Sequence, residues 1–170
     1  MKKDMNSLFA EKVKDFRLPR YKELPDMGLY LEQVVRYING VVVPLGCPEI
    51  TSSMVSNYVK KDVIPSPIKK QYYSEQIAYL IFISIVKSVL SMEYIVKLFD
   101  MQKANYESAT AYDYFCKEFE GILAYISGVK SEMGGFSQRN TMEKSMLRSV
   151  IISASHIIFI NNCFSELKDE

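Results

Sequence analysis

The residues best equipped for chemistry lie between Ile50 and Ser74. Thr51, Ser52, Ser53, Ser56 and Asn57 bring hydroxyl and amide groups together, and Lys60, Lys61, Lys69 and Lys70 follow. The only carboxylate in this stretch is Asp62, so four lysines against one acid leave a local charge of +3. Hydroxyls and amides on a short helix reach base edges in a major groove, and an asparagine can bond adenine at two points. Lysines neutralise phosphates and release their counterions. The combination fits double-stranded DNA; the plainer reading is a solvated helix face beside a basic loop.

Other chemistries find little support. His156 is the single histidine and lies in an apolar stretch, where a hydrogen-bonded core histidine is expected rather than a ligand. The cysteines Cys47, Cys116 and Cys163 are odd in number and widely spaced, as reduced cytosolic thiols are; a redox role stays open. No metal-ligand cluster, nucleophile set or glycine-rich phosphate loop is visible. The expectation is a non-enzyme with no cofactor and no metal.

At 170 residues, 48% hydrophobic and 24% charged, the chain can bury its own core. The net charge of +1 conceals a split: residues 1–74 carry 12 Lys and Arg against 8 Asp and Glu, a surplus of +4, and the remainder 9 against 12, a deficit of −3. Such a split suits a nucleic-acid face on one half. Near Met1 no apolar stretch of signal-peptide length is found, and the apolar run Ile77 to Leu90 is broken by Lys87 and falls short of the ~20 residues a bilayer needs. A cytoplasmic location without membrane contact is therefore expected.

The basic segment needs elements to hold it. Leu8, Phe9, Val13 and Phe16 outline a short first helix, and the prolines of Arg17 to Asp26 dictate an extended connector. Tyr30, Leu31, Val34, Val35 and Ile38 recur at helical spacing, with Gly40 expected as the stop and Gly40 to Glu49 as a loop. Thr51 should cap a helix to about Lys60. Lys69 to Tyr73 should form the tip and return of a small hairpin. Ser74 and Ser91 are expected caps of the next two helices, the first buried on more than one side. Further helices are expected over 106–127 and from about 141 to 167, the latter with Asn140 as its cap.

The segment Ile50 to Pro65, with Tyr58 and the exit Val63-Ile64-Pro65, resembles the recognition helix and exit of the MerR family of winged-helix regulators. Gln71-Tyr72-Tyr73-Ser74-Glu75 is similar to that family's return from the wing, and the helices to Phe99 to the pair that follows it. The likeness spans about 50 residues. It departs in the long stretch from Gly40 to Glu49 and in lacking the usual arginines, whose places are taken by Ser56 or Asn57 and by Gln71. A longer likeness, reaching back to Leu18-Pro19-Arg20-Tyr21, Leu24-Pro25-Asp26 and Leu29-Tyr30 with Gln33-Val34, is to the YkrK-like group of bacterial proteins of unknown function. Both resemblances imply DNA binding, and neither implies a cofactor.

The sequence thus predicts a mainly α fold: a winged helix-turn-helix domain over 1–100 and a helical dimerisation or sensing region over 101–170. The expected DNA-binding residues are Thr51, Ser52, Ser53, Ser56, Asn57, Tyr58, Lys60, Lys61, Lys69, Lys70, Gln71 and Tyr72. Of Tyr72 and Tyr73, one should pack on the core and one lie beside phosphate. Arg17 and Arg20 should make connector salt bridges rather than a minor-groove arm. The breadth of the last apolar helix points to a homodimer. A ligand pocket between the aromatic helix and the last helix is open, with no ligand named. The alternative function is a non-catalytic protein-interaction module retaining the winged fold.

Overall fold

The computed structural model describes residues 5–134 and 141–168. The protein is mainly helical: α1 (Met5–Lys14), α2 (Leu31–Val42), α3 (Ser52–Lys60), α4 (Ser74–Val86), α5 (Met92–Asn105), α6 (Ser108–Ile126) and α7 (Met142–Lys168), with short 3-10 turns at Tyr21–Glu23 and Val43–Leu45. Extended pairing among the described residues is limited to two antiparallel bridges, Leu29 with Tyr72 and Ile68 with Gln71.

Helix α4 lies at the centre. Every residue from Gln76 to Val86 is buried, as a helix apolar on all sides must be. Around it Tyr79, Phe82, Phe99, Phe115, Phe119 and Phe16 form a continuous file of ring contacts linking α4, α5, α6 and the segment after α1. One buried cluster runs from Phe9 to Ile158, so no gap in the core marks residue 100.

Several local expectations are corrected. Helix α2 does not stop at Gly40 but continues to Val42, whose side chain is fully buried; that burial outweighs the ~1 kcal/mol cost of an exposed helical glycine. The stretch from Gly40 to Glu49 is therefore the end of α2, a 3-10 turn and a left-handed Gly46 (φ +96°), not one loop. Asn162 of α7 holds this turn, its Nδ2 donating to the Leu45 carbonyl at 2.9 Å while its Oδ1 accepts from Lys12 Nζ at 2.9 Å. A Cβ at Gly46 would stand 2.6 Å from that Nδ2.

Tyr73, not Ser74, caps α4: its N–H donates to Gln76 Oε1 at 2.9 Å, while Ser74 Oγ donates to the Pro25 carbonyl. Ser91 does cap α5, accepting from Tyr94 N–H. For α7, Thr141 Oγ1 accepts from Lys144 N–H; Asn140 lies outside the described residues. His156 is exposed rather than a core residue, because α7 buries Ile151, Ala154, Ser155 and Ile158 on its opposite side.

The connector grips α6 instead of lying free. Arg20 pairs with Glu120, Arg17 with Glu23, Tyr21 N–H donates to Asp113, and Tyr112 donates to the Pro19 carbonyl. The span Met142–Leu167 is long and apolar enough to cross a membrane, with a mean hydropathy of 1.4 over its best window, whereas the expectation of no membrane contact rests on the start of the chain and on Ile77 to Leu90 alone. In the fold this helix packs on α1, α4, α5 and α6.

Candidate nucleic-acid interface

Helix α3 is held from beneath and at both ends. Val55 and Tyr58 are buried, pinning one face to the core. At its start Thr51 Oγ1 accepts from Met54 N–H at 3.2 Å. Just before it, Asn39 of α2 brackets Ile50, its Oδ1 accepting from Ile50 N–H at 2.9 Å and its Nδ2 donating to Ile50 O at 3.0 Å. This two-point clamp makes α2 and α3 one unit. After α3, Val63 N–H returns to the Tyr58 carbonyl at 2.8 Å, and Val63 and Ile64 enter the core.

What remains outward is the polar face. Ser53, Ser56, Asn57 and Lys60 are exposed, and Ser52 is half-buried. No side-chain hydrogen bond occupies Ser53, Ser56 or Asn57 among the described residues.

Tyr58 and Tyr72, expected at the interface, are instead core residues with 5% and 4% exposure. Their rings anchor α3 and the hairpin, and burial pushes both phenols above their usual range. Tyr73 is half-buried, so the two neighbouring tyrosines do divide into one core ring and one partly solvated ring.

The basic turn has unusual backbone. Ile68 and Gln71 exchange both N–H···O bonds at 2.9 Å, closing a two-residue loop of Lys69 and Lys70. Both lysines have positive φ, 50° and 64°. Two positive φ values in succession are the mark of a type I′ turn, which ordinarily takes Asn-Gly because a Cβ is disfavoured there. The turn is anchored behind by Tyr72, which exchanges N–H···O bonds with Leu29 at 2.8 and 2.9 Å, and by Gln76 Nε2 on the Ser66 carbonyl. Gln71 faces this anchor: its side-chain amide approaches the Gly28 carbonyl and the Tyr73 hydroxyl, each at 3.4 Å. Gly28 permits the approach, since a Cβ there would lie 2.7 Å from Gln71 Cβ.

Lys60, Lys61, Lys69 and Lys70 are all exposed, and none forms an ion pair with a described carboxylate. Arg17 and Arg20 are committed to Glu23 and Glu120 and add no charge to this face.

A model of a domain of unknown function, DUF1836, matches residues 19–115, which is more than half of the chain. The chain belongs to the DUF1836 family. The match begins within the connector, takes in α2, α3, the basic turn, α4 and α5, and ends inside α6. No curated protein and no solved structure matches the chain.

Neither Asn39 nor Gly28 stands out by residue type or spacing, and Glu75, Gln102 and Ser108 gather only in three dimensions. Asn39 had one visible hint, a polar side chain at the end of an apolar helical pattern.

Proposed function

We propose that the protein is a sequence-specific, double-stranded-DNA-binding transcriptional regulator of the MerR-like winged helix-turn-helix kind, acting in the cytoplasm without catalysis. Helix α3 reads base edges through Ser52, Ser53, Ser56 and Asn57. Lys60, Lys61, Lys69 and Lys70 hold phosphates, with the turn at Lys69–Lys70 as the wing.

The observation that carries this reading is the turn itself. Each left-handed lysine costs on the order of 1–2 kcal/mol relative to glycine or asparagine. A fold that tolerates this twice at one exposed tip has a use for two ammonium groups there. The unoccupied hydroxyl and amide groups of α3 supply the base-reading half of the same surface.

Helix α7 leaves Ile160, Phe164 and Leu167 43%, 61% and 51% exposed. These side chains suit pairing with a second copy, giving a homodimer that reads two half-sites about 34 Å apart. They also favour the second reading, a protein-interaction module, in which the same stripe holds a different protein. A mass measured in solution that stays monomeric at high concentration removes the homodimer.

The deciding experiment titrates the protein with mixed genomic duplex DNA at two salt concentrations. Affinity should fall steeply with salt, log K against log [salt] having a slope of about −0.9 per phosphate neutralised. Reversal of the four lysines to Glu should abolish binding. Affinity that ignores salt, or survives the reversal, excludes the DNA reading; where binding is salt-dependent and lost on reversal, recovery of bound fragments defines the operator.

A further inference from the structure

A cavity of about 240 Å³ lies between α4, α5, α6 and the start of α7. Its walls are mainly apolar, with Phe82, Phe99, Phe115, Leu98 and Leu147 among them. A dry cavity of ~150 Å³ lined by such side chains accepts benzene, so this one has room for two fused rings.

One corner is polar and nearly closed on itself. Tyr79 OH donates to Gln102 Oε1 at 2.9 Å, Gln102 Nε2 donates to the Tyr106 carbonyl at 2.7 Å, and Ser108 Oγ donates to Glu75 Oε1 at 2.9 Å. The exception is Glu75. A carboxylate offers about four acceptor sites; Ser108 fills one, and Glu75 forms no ion pair with any described Lys or Arg.

The other charged groups on the wall are Glu143 and Lys144, the latter with its ammonium 5.4 Å from the centre of the Tyr114 ring. The wall thus carries two carboxylates and one ammonium. An unpaired carboxylate beside aromatic faces attracts a cation on two grounds, direct charge and the ring quadrupole. A bound anion would face Glu75 in a poorly screened site.

We propose that this cavity binds a small hydrophobic amine, its ammonium group on Glu75 and a one- or two-ring body among Phe82, Phe99 and Phe115. The inference stands apart from the DNA reading and is tested without DNA.

The probes are three naphthalenes of matched shape: naphthylmethylamine, methylnaphthalene and naphthoate, titrated into the intact protein and followed by calorimetry and naphthalene fluorescence. The amine should bind at least about tenfold more tightly than the neutral compound, a difference of ~1.4 kcal/mol, and the acid most weakly. Glu75→Gln keeps an acceptor for Ser108 and should bring the amine down to the neutral compound's affinity while leaving the latter unchanged. Leu147→Trp, which fills the cavity, should remove all binding. The proposal is overturned if the acid binds as well as the amine, if no probe binds, or if a folded Glu75→Gln protein retains the amine's advantage. The amine-to-acid ratio in the unaltered protein decides the matter even if the variant does not fold.

Discussion

Arg20 and Glu120 meet at two points across a hundred residues of chain, Nη1 to Oε2 at 2.6 Å and Nη2 to Oε1 at 2.7 Å. The same carboxylate accepts from Leu18 N–H at 2.9 Å, so one side chain on α6 fixes both the charge and the backbone of the connector. The bond to Glu120 raises the Arg20 pKa further, and the pair is only 25% and 20% exposed. Paired forks of this kind are stronger than ordinary hydrogen bonds, and removing one partner strands the other.

Glu120→Gln should therefore cost about 2–3 kcal/mol in urea unfolding, less than the 3–5 typical of a fully buried pair. Arg20→Lys keeps the charge and loses the fork, and should cost about half as much. A loss below ~0.5 kcal/mol for Glu120→Gln would reduce the pair to ordinary surface electrostatics.

The basic turn gives a prediction in which stability and binding move in opposite directions. Lys69→Asn with Lys70→Gly supplies the residues a type I′ turn prefers and should raise stability by about 1–3 kcal/mol, the strain relieved at two positions less the ~1 kcal/mol that glycine's freedom in the unfolded chain costs. The same double variant should weaken DNA binding and shallow its salt dependence by up to two phosphate contacts. Thermal unfolding beside a salt titration reads both; unchanged stability would mean the left-handed lysines carry no strain.

Burial pushes the Cys47 and Cys116 thiols up to about 12, from an ordinary 9.0. A raised acid pKa means the folded thiol keeps its proton when the unfolded one has lost it, so stability is present below pH 9 and declines from there toward pH 12. The slope per buried thiol approaches 1.4 kcal/mol per pH unit. Cys47→Ala with Cys116→Ala should flatten the decline, although buried tyrosines such as Tyr112, also shifted upward by burial, contribute at the alkaline end. A thiol-directed reagent should label the half-buried Cys163 in the native protein and reach the other two only on unfolding. Rapid native labelling of Cys47 or Cys116 would contradict this and reopen a redox role.

Asn162 and Gly46 form a coupled pair. Asn162→Leu leaves the Leu45 carbonyl without its side-chain donor and takes one acceptor from Lys12, which keeps Glu166 at 3.8 Å, and should cost about 2 kcal/mol. Gly46→Ala adds both a left-handed Cβ and a contact of 2.6 Å to Asn162, and should cost at least as much. Because Asn162→Ala vacates the space that this Cβ needs, the double variant Gly46→Ala/Asn162→Ala should be more stable than the two single losses added together. Simple additivity in denaturant unfolding would show that the close approach does not matter.

Much of the architecture was legible because it depends on local pattern. The spacing of Val34 and Ile38, the hydroxyl of Thr51 ahead of an amphipathic run, and the apolar character of Ile77 to Val86, interrupted by Ser84 alone, yield α2, α3 and an α4 buried from Gln76 onward. The misreadings share a cause. Gly40 looks like a stop until Val42 is known to be buried, and His156 looks internal until the buried side of α7 is known. Tyr58 and Tyr72 carry hydroxyls suited to phosphate, yet their ring area favours the core, and nothing in their immediate neighbours says which tendency prevails.

What the sequence determined by itself is the basic segment between Ile50 and Ser74: its charge, its run of serines with Asn57, and the helix that Thr51 starts. Those follow from residue type and spacing over a few turns of chain. Only the tertiary structure decided that Asn39 clamps Ile50, that Lys69 and Lys70 sit in left-handed backbone, and that Glu75, bonded to Ser108 but in no ion pair with a described Lys or Arg, stands at the wall of an aromatic cavity. Each of these depends on partners brought together by packing, and the free energy that selects them resides in contacts between distant segments, not in the preferences of any one.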